Sequence, residues 1–153
     1  MGVQWRQDLA VGVDIIDEQH QELFSRINQL LDACNLGKGK EEVGALINFL
    51  EDYVKTHFRD EEELQRKHKY PEYDNHKNLH NKFIDEVTSL KIRLNESGTS
   101  LLLIIDINRK VVDWLVNHIG KMDKELGKYI KAQTLTLWEG NKYGEEAWLI
   151  FKN

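Results

Sequence analysis

Proline occurs once in this chain, at Pro71, and cysteine once, at Cys34. With so little proline, nothing interrupts helices over most of the length. A lone cysteine cannot close an internal disulfide, so Cys34 reads as a partly buried structural thiol and the chain depends on its own core. At 153 residues it is long enough to build one as a single ordinary domain. Strong positive charge is also missing. Twenty-one Lys and Arg are scattered among 26 Asp and Glu, for a net charge of -5, which argues against a general nucleic-acid or anionic-membrane partner. The longest strongly apolar run, Leu101 to Ile105, is far too short to span a bilayer. The opening stretch MGVQWRQDLAVGVDIIDEQH carries Asp8 and Asp14 and has no apolar signal core, so a cytoplasmic, reducing setting is the expectation.

What is present is a 3.6-residue period. From about Asp17 to Asn35, Leu23, Phe24, Ile27, Leu30, Leu31 and Cys34 form an apolar stripe, with His20 one turn before it. Gly37-Lys38-Gly39 ends that helix. A second, from about Glu41 to Lys67, carries Val43, Leu46, Ile47, Leu50, Tyr53 and Val54, continued by His57, Phe58, Glu61 and Leu64. Lys69-Tyr70-Pro71 breaks it, because proline lacks the backbone donor and restricts its predecessor. A third helix, from about Glu72 to Asn95, turns His76, Leu79, His80, Phe83, Ile84, Val87 and Leu90 inward. A fourth, from about Ser100 to Ala132, carries Leu103, Ile104, Ile107, Val111, Trp114, Leu115, His118 and Ile119. Four such helices with short connections predict an all-α, up-down-up-down antiparallel four-helix bundle over residues 1–132, with an N-terminal arm anchored by Trp5.

Residues 133–153 form an atypical C-terminal tail. Thr134 to Trp138 alternate, Gly140-Asn141 and Gly144 favour turns, and Trp148 to Phe151 are apolar. A hairpin-like segment, an irregular one, and an end foreign to the native chain all stay open.

Four of the six histidines lie between positions 57 and 80. His57/Glu61 and His76/His80 are each four apart and share a helical face, where either pair alone is a weak metal motif and more often a surface or boundary feature. The helices together say more. His20 lies early in the first helix and His57/Glu61 late in the second. His76/His80 lie early in the third, and His118 with Asp123 late in the fourth. That alternation brings all seven to one level of an antiparallel bundle. Five desolvated imidazoles without a metal would be costly there.

Five histidines and two carboxylates exceed the needs of one ion, so two are implied. If Glu61 and Asp123 bridge and one further oxygen is shared, two octahedral ions keep a single open position. Mixed imidazole and carboxylate ligands with a vacancy suit iron, and one vacancy suits a diatomic ligand. His118 and Asp123 are five apart, an awkward turn of about 500° that a π-bulge would relieve, with Gly120 placed to ease it. His68, between basic residues at the end of the second helix, reads as a solvated cation. Of Asp60-Glu61-Glu62-Glu63, only Glu61 has ligand spacing; the others read as a solvated face.

The ordered set His20 in DEQHQELF, His57/Glu61 in HFRDEE, His76/His80 in HKNLH and His118/Asp123 in HIGKMD resembles the hemerythrin family, bacterial hemerythrin-like proteins in particular, over about residues 3–130. The resemblance implies a non-haem di-iron site that binds O2 reversibly. His76, His80 and His118 would hold one iron. His20 and His57 would hold the other, which keeps the vacancy. Glu61 and Asp123 would bridge the two iron ions (Fe2+/Fe3+) beside an oxo or hydroxo group. Phe58, Trp114, Leu115 and Ile119 would wall the O2 pocket, a role compatible with ordinary core packing. The chain departs from the family where a tyrosine often stands three residues after the bridging aspartate; here that residue is Leu126.

An oxygen carrier, store or delivery protein is the leading expectation, with no catalytic residues and with O2 as partner. A second reading is an oxygen- or redox-sensing module acting through a partner protein, with Trp138, Trp148 and Phe151 of the tail as candidate anchors. A third is a di-iron enzyme acting on peroxide or nitric oxide.

Overall fold

A computed structural model describes the backbone of residues 2–142 and the side chains of residues 2–134. Helix α1 spans Asp14–Asn35, α2 Lys40–Lys67 and α3 Tyr73–Ser97. The fourth rod, α4, covers residues 101–142 as five consecutive helical segments. Leu101–Ile107 is α-helical, Asn108–Asp113 π-helical, Trp114–His118 α-helical, Ile119–Asp123 π-helical and Lys124–Lys142 α-helical. No strand occurs among the described residues. α1 packs on α2, α2 on α3, and α3 on the first half of α4, which makes a four-helix bundle.

The helices stop where backbone chemistry requires. After α1, Gly37 takes a positive φ of 71° and Lys38 N–H reaches back to the Ala33 carbonyl, a glycine-terminated C-cap. α2 ends in the same pattern with a lysine at the strained position: Lys69 has φ 53°, and Tyr70 N–H donates to the Gln65 carbonyl before Pro71. Ser100 caps α4 by accepting the Leu103 N–H at 3.1 Å.

The predicted stripes are the core. Leu23, Ile27, Leu30, Leu31 and Cys34 of α1 meet Val43, Ile47, Leu50 and Val54 of α2, and Phe83, Val87, Leu90, Leu103, Ile107 and Val111 complete the cluster. The core fills the end of the bundle away from the histidines. A second cluster of Val11, Ile16, Tyr70, Leu126 and Ile130 closes the other end, and a third joins Leu9, Phe24 and Ile119.

The N-terminal arm is pinned by its backbone. Val3 exchanges two hydrogen bonds with the Asn28 amide, both 2.7 Å, and Asp17 accepts from Val11 N–H and Gly12 N–H at 2.8 and 3.1 Å. Trp5 meets Phe24 edge to face at 5.7 Å, the anchor expected of it. Where the arm crosses α4 at Gly127, a Cβ would stand 2.2 Å from the Val11 carbonyl oxygen, so only glycine fits.

The helix of α4 does not end at Ala132. It continues to Lys142, so Thr134 to Trp138 are helical and their alternation does not mark a strand. A helix already anchored by buried Leu126 and Ile130 extends through residues of neutral propensity at little cost. Residues 143–153, with Trp148 and Phe151, lie outside the described residues, as does the side chain of Trp138.

Candidate metal centre

All four helices deliver side chains to one buried layer between the main core and the closing cluster. His20 comes from α1, His57 and Glu61 from α2, His76 and His80 from α3, and His118 and Asp123 from α4. None is more than 6% exposed. Ligand atoms of Glu61, His76, His80, His118 and Asp123 lie within 4.8 Å of one another, as do those of His20, His57, Glu61 and Asp123.

The two carboxylates divide their oxygens between the groups. Glu61 Oε1 lies 2.9 Å from His76 Nε2 and 3.5 Å from His80 Nε2, whereas Oε2 lies 3.3 Å from His57 Nε2. Asp123 Oδ1 lies 3.0 Å from His76 Nε2 and 3.2 Å from His118 Nε2, and Oδ2 lies 3.0 Å from His20 Nε2. His118 Nε2 is 3.0 Å from His76 Nε2 and 3.2 Å from His80 Nε2. Three ring nitrogens converging on one another cannot all be satisfied by hydrogen bonds among themselves.

Several close approaches also lack hydrogen-bond geometry, leaving His20 Nε2, both Glu61 oxygens and Asp123 Oδ1 buried without a partner. Ligand atoms at right angles around an ion, with bonds of about 2.1 Å, stand about 3.0 Å apart. The donor set, its spacing and its orphaned atoms therefore fit two metal ions bridged by two carboxylates.

The electrostatics describe the protonation that an ion must displace. Burial lowers the His76 pKa, but the nearby Asp123 and Glu61 carboxylates outweigh it and hold it up at about 9. His20 and His80 are raised in the same way against their own burial, by Asp123 and by Glu61 respectively. Burial pushes Glu61 up, as does Asp123, yet the imidazoles of His57, His76 and His80 hold it well below the usual carboxylate range. For Asp123, burial is likewise outweighed by His118, His20 and His76.

The π-helical turn Ile119–Asp123 brings His118 and Asp123 to one side of α4, as their five-residue spacing requires. Gly120 is exposed with open space around its Cβ position, so the turn does not depend on a glycine there.

Two of the four expected wall residues stack on candidate ligand rings. Phe58 lies flat on His80, with centroids 3.7 Å apart and planes 1° apart. Trp114 stacks on His118 at 4.4 Å and on Phe83 at 4.3 Å. Leu115 is buried in the main core cluster with Phe58, whereas Ile119 is buried in the third cluster with Leu9 and Phe24. Leu126 fills the position open to a tyrosine with packed apolar volume, and Tyr70 presents its ring edge to His76 at 6.5 Å instead.

Sequence reasoning missed the supporting polar residues. Gln19 accepts from His57 Nδ1 at 2.7 Å, and its amide donates to Asp60 at 2.8 Å. Asp60 therefore belongs to the site's surround, not to a solvated face. Glu62 approaches His80 Nδ1 at 3.7 Å. Their signal was positional: Gln19 adjoins His20, and Asp60 and Glu62 adjoin Glu61. Gln65, one turn beyond Glu61, is fully buried with neither amide atom partnered. His68 is not a freely solvated cation; it is half-buried, its Nδ1 bonds Gln133, and its carbonyl accepts from Tyr129 and Gln133.

Comparison with known proteins agrees with this geometry. Residues 11–130 match the Hemerythrin HHE cation binding domain. The chain is 33% identical over 125 residues to a bacteriohemerythrin of Methylococcus capsulatus strain Bath, covering 82% of this chain and 93% of that protein. It is 31% identical over 122 residues to a myohemerythrin of Theromyzon tessulatum, covering 78% and 87%. The crystal structure of a wild-type hemerythrin aligns with a TM-score of 0.74 at 32% identity, over 82% of this chain and 95% of the other. This chain belongs to the hemerythrin family.

Proposed function

We propose that the protein binds O2 reversibly at a non-haem di-iron site, as a cytoplasmic carrier, store or delivery protein. The observation that carries this reading is the division of the Glu61 and Asp123 oxygens between a three-histidine and a two-histidine group. His76, His80 and His118 would hold one ion, His20 and His57 the other, and both carboxylates would bridge. The two-histidine side, with one imidazole fewer, would keep the open position. When bound, the iron pair supplies two electrons that O2 accepts and returns.

The chain's own residues make that exchange reversible by keeping the site dry and its ligands fixed. The rings of Phe58 and Trp114 stack on His80 and His118, and Leu115 and Ile119 are buried in the apolar clusters on either side of the layer. Stacking holds each imidazole at one tilt, and burial withholds the water that would release reduced oxygen. As ligands to iron, five imidazoles without charge and only two carboxylates would supply little negative charge, which favours binding O2 over the higher oxidation states that substrate oxidation needs. Among the described residues, no helix is long and apolar enough to cross a membrane.

Gas uptake by the anaerobically iron-loaded protein tests this. One O2 taken up per two irons and recovered under argon is the expected result. Uptake without recovery, or with net consumption of added peroxide or nitric oxide, would replace binding by turnover.

A further inference from the structure

Among the described residues, His57 is the one histidine of the five whose outward nitrogen is hydrogen-bonded to a side chain at ordinary distance. The outward Nδ1 atoms of His20, His76 and His80 are buried without such a bond. His57 Nδ1 lies 2.7 Å from Gln19 Oε1, across the α1–α2 interface.

The direction of this bond is fixed from outside. Gln19 Nε2 stands 2.8 Å from Asp60 Oδ2, and a carboxylate only accepts, so the glutamine must turn its N–H to Asp60 and its carbonyl oxygen to His57. Asp60 is itself held by the Arg59 guanidinium at 3.2 and 3.3 Å. His57 must then carry a proton on Nδ1, so Nε2, 3.3 Å from Glu61 Oε2, is the nitrogen left to ligate once an ion displaces any proton it holds. The relay is half-buried and forms one wall of a groove of about 400 Å³, lined also by Ile15, Ile16 and Leu64.

Resting on the di-iron reading above, we propose that Gln19, oriented by Asp60, is a positioning residue that selects the ligating tautomer and ring angle of His57 and so tightens the two-histidine half of the centre. That half has one imidazole fewer, so it gains most from a prepared ligand. Outer partners of this kind change metal affinity by about 10- to 100-fold.

The test uses Co2+ as a probe in the full chain, with stoichiometry and chelator-driven release followed optically. Wild type should take up two Co2+ per chain and release them in two phases. Gln19→Leu keeps the volume and removes the acceptor; it should speed one phase by about 10- to 100-fold and leave the other unchanged. Proton NMR of the Co2+ protein should show the exchangeable His57 ring proton lost or rapidly exchanging.

The double change Gln19→Glu with Asp60→Asn preserves the polarity of the relay, since the introduced amide donates and the introduced carboxylate accepts. It should restore slow release. Thermal melting of the metal-free Gln19→Leu protein should stay cooperative but fall, because the buried His57 Nδ1–H loses its acceptor, and the double change should recover it. Equal acceleration of both phases, no acceleration, or no rescue by the double change would each overturn the proposal while two Co2+ still bind. Fewer than two Co2+ in wild type would overturn the two-ion reading, and the proposal with it.

Discussion

His118 Nε2 and Asp123 Oδ1 stand 3.2 Å apart although five residues separate them, because the helix between is wound with π-type bonds. An α-helical turn would carry Asp123 about 140° past the face of His118. The surrounding contacts hold the wider turn: Asp123 faces three imidazoles, and Ile119 packs with Leu9 and Phe24.

Gly120 is thus replaceable. Its Cβ position is open, and glycine inside a helix costs about 0.5–1 kcal/mol relative to alanine. Gly120→Ala should raise stability by about that amount in urea melts while metal uptake stays at two ions per chain. Loss of one ion would show that the π turn needs glycine after all.

Gln65 buries a whole amide with no hydrogen-bond partner at 0% exposure. A methionine of similar length would remove that desolvation cost, which is about 1–3 kcal/mol for a buried unsatisfied polar group. Gln65→Met should therefore raise the urea midpoint of the metal-free protein. A lowered midpoint would mean that the amide is satisfied in solution.

The pH dependence of the metal-free protein follows from the raised histidines and lowered carboxylates. His76 moves from an ordinary 6.5 up to about 9, with His20 and His80 raised as well. Their contribution to stability is fully present below pH 6.5 and is lost as pH rises towards and through 9. Glu61 and Asp123, lowered from 4.5 and 3.8, contribute above those values and lose it as pH falls. Metal-free stability should peak near pH 5 to 6.5 and decline towards pH 9 in denaturant melts. Metal loading at pH 7 should release protons into weakly buffered solution and tighten as pH rises. A metal-free protein that grows more stable from pH 7 to 9 would contradict this assignment of charge.

The bundle was legible because its stripes repeat: Leu23, Ile27, Leu30 and Leu31, or Phe83, Val87 and Leu90, keep one helical face for many turns. The candidate ligands were legible for another reason. An antiparallel bundle converts early and late sequence positions into one spatial level, so seven scattered residues formed one pattern. The extension of α4 past Ala132 was hidden, because Thr134 to Trp138 carry alternation and weak propensity, and the preceding packed turns decide their conformation. Gln19, Asp60 and His68 were hidden too. Their partners lie 41, 38 or 65 residues away, and no periodicity marks a polar residue at a helix interface.

The most direct measurement is the visible charge-transfer spectrum of the anaerobically loaded diferrous protein through repeated admission and removal of oxygen. An oxygen-dependent band that appears, disappears under argon and returns with undiminished amplitude over several cycles is the expected result. A single passage to a stable diferric spectrum, with no recovery on removing oxygen, would contradict it.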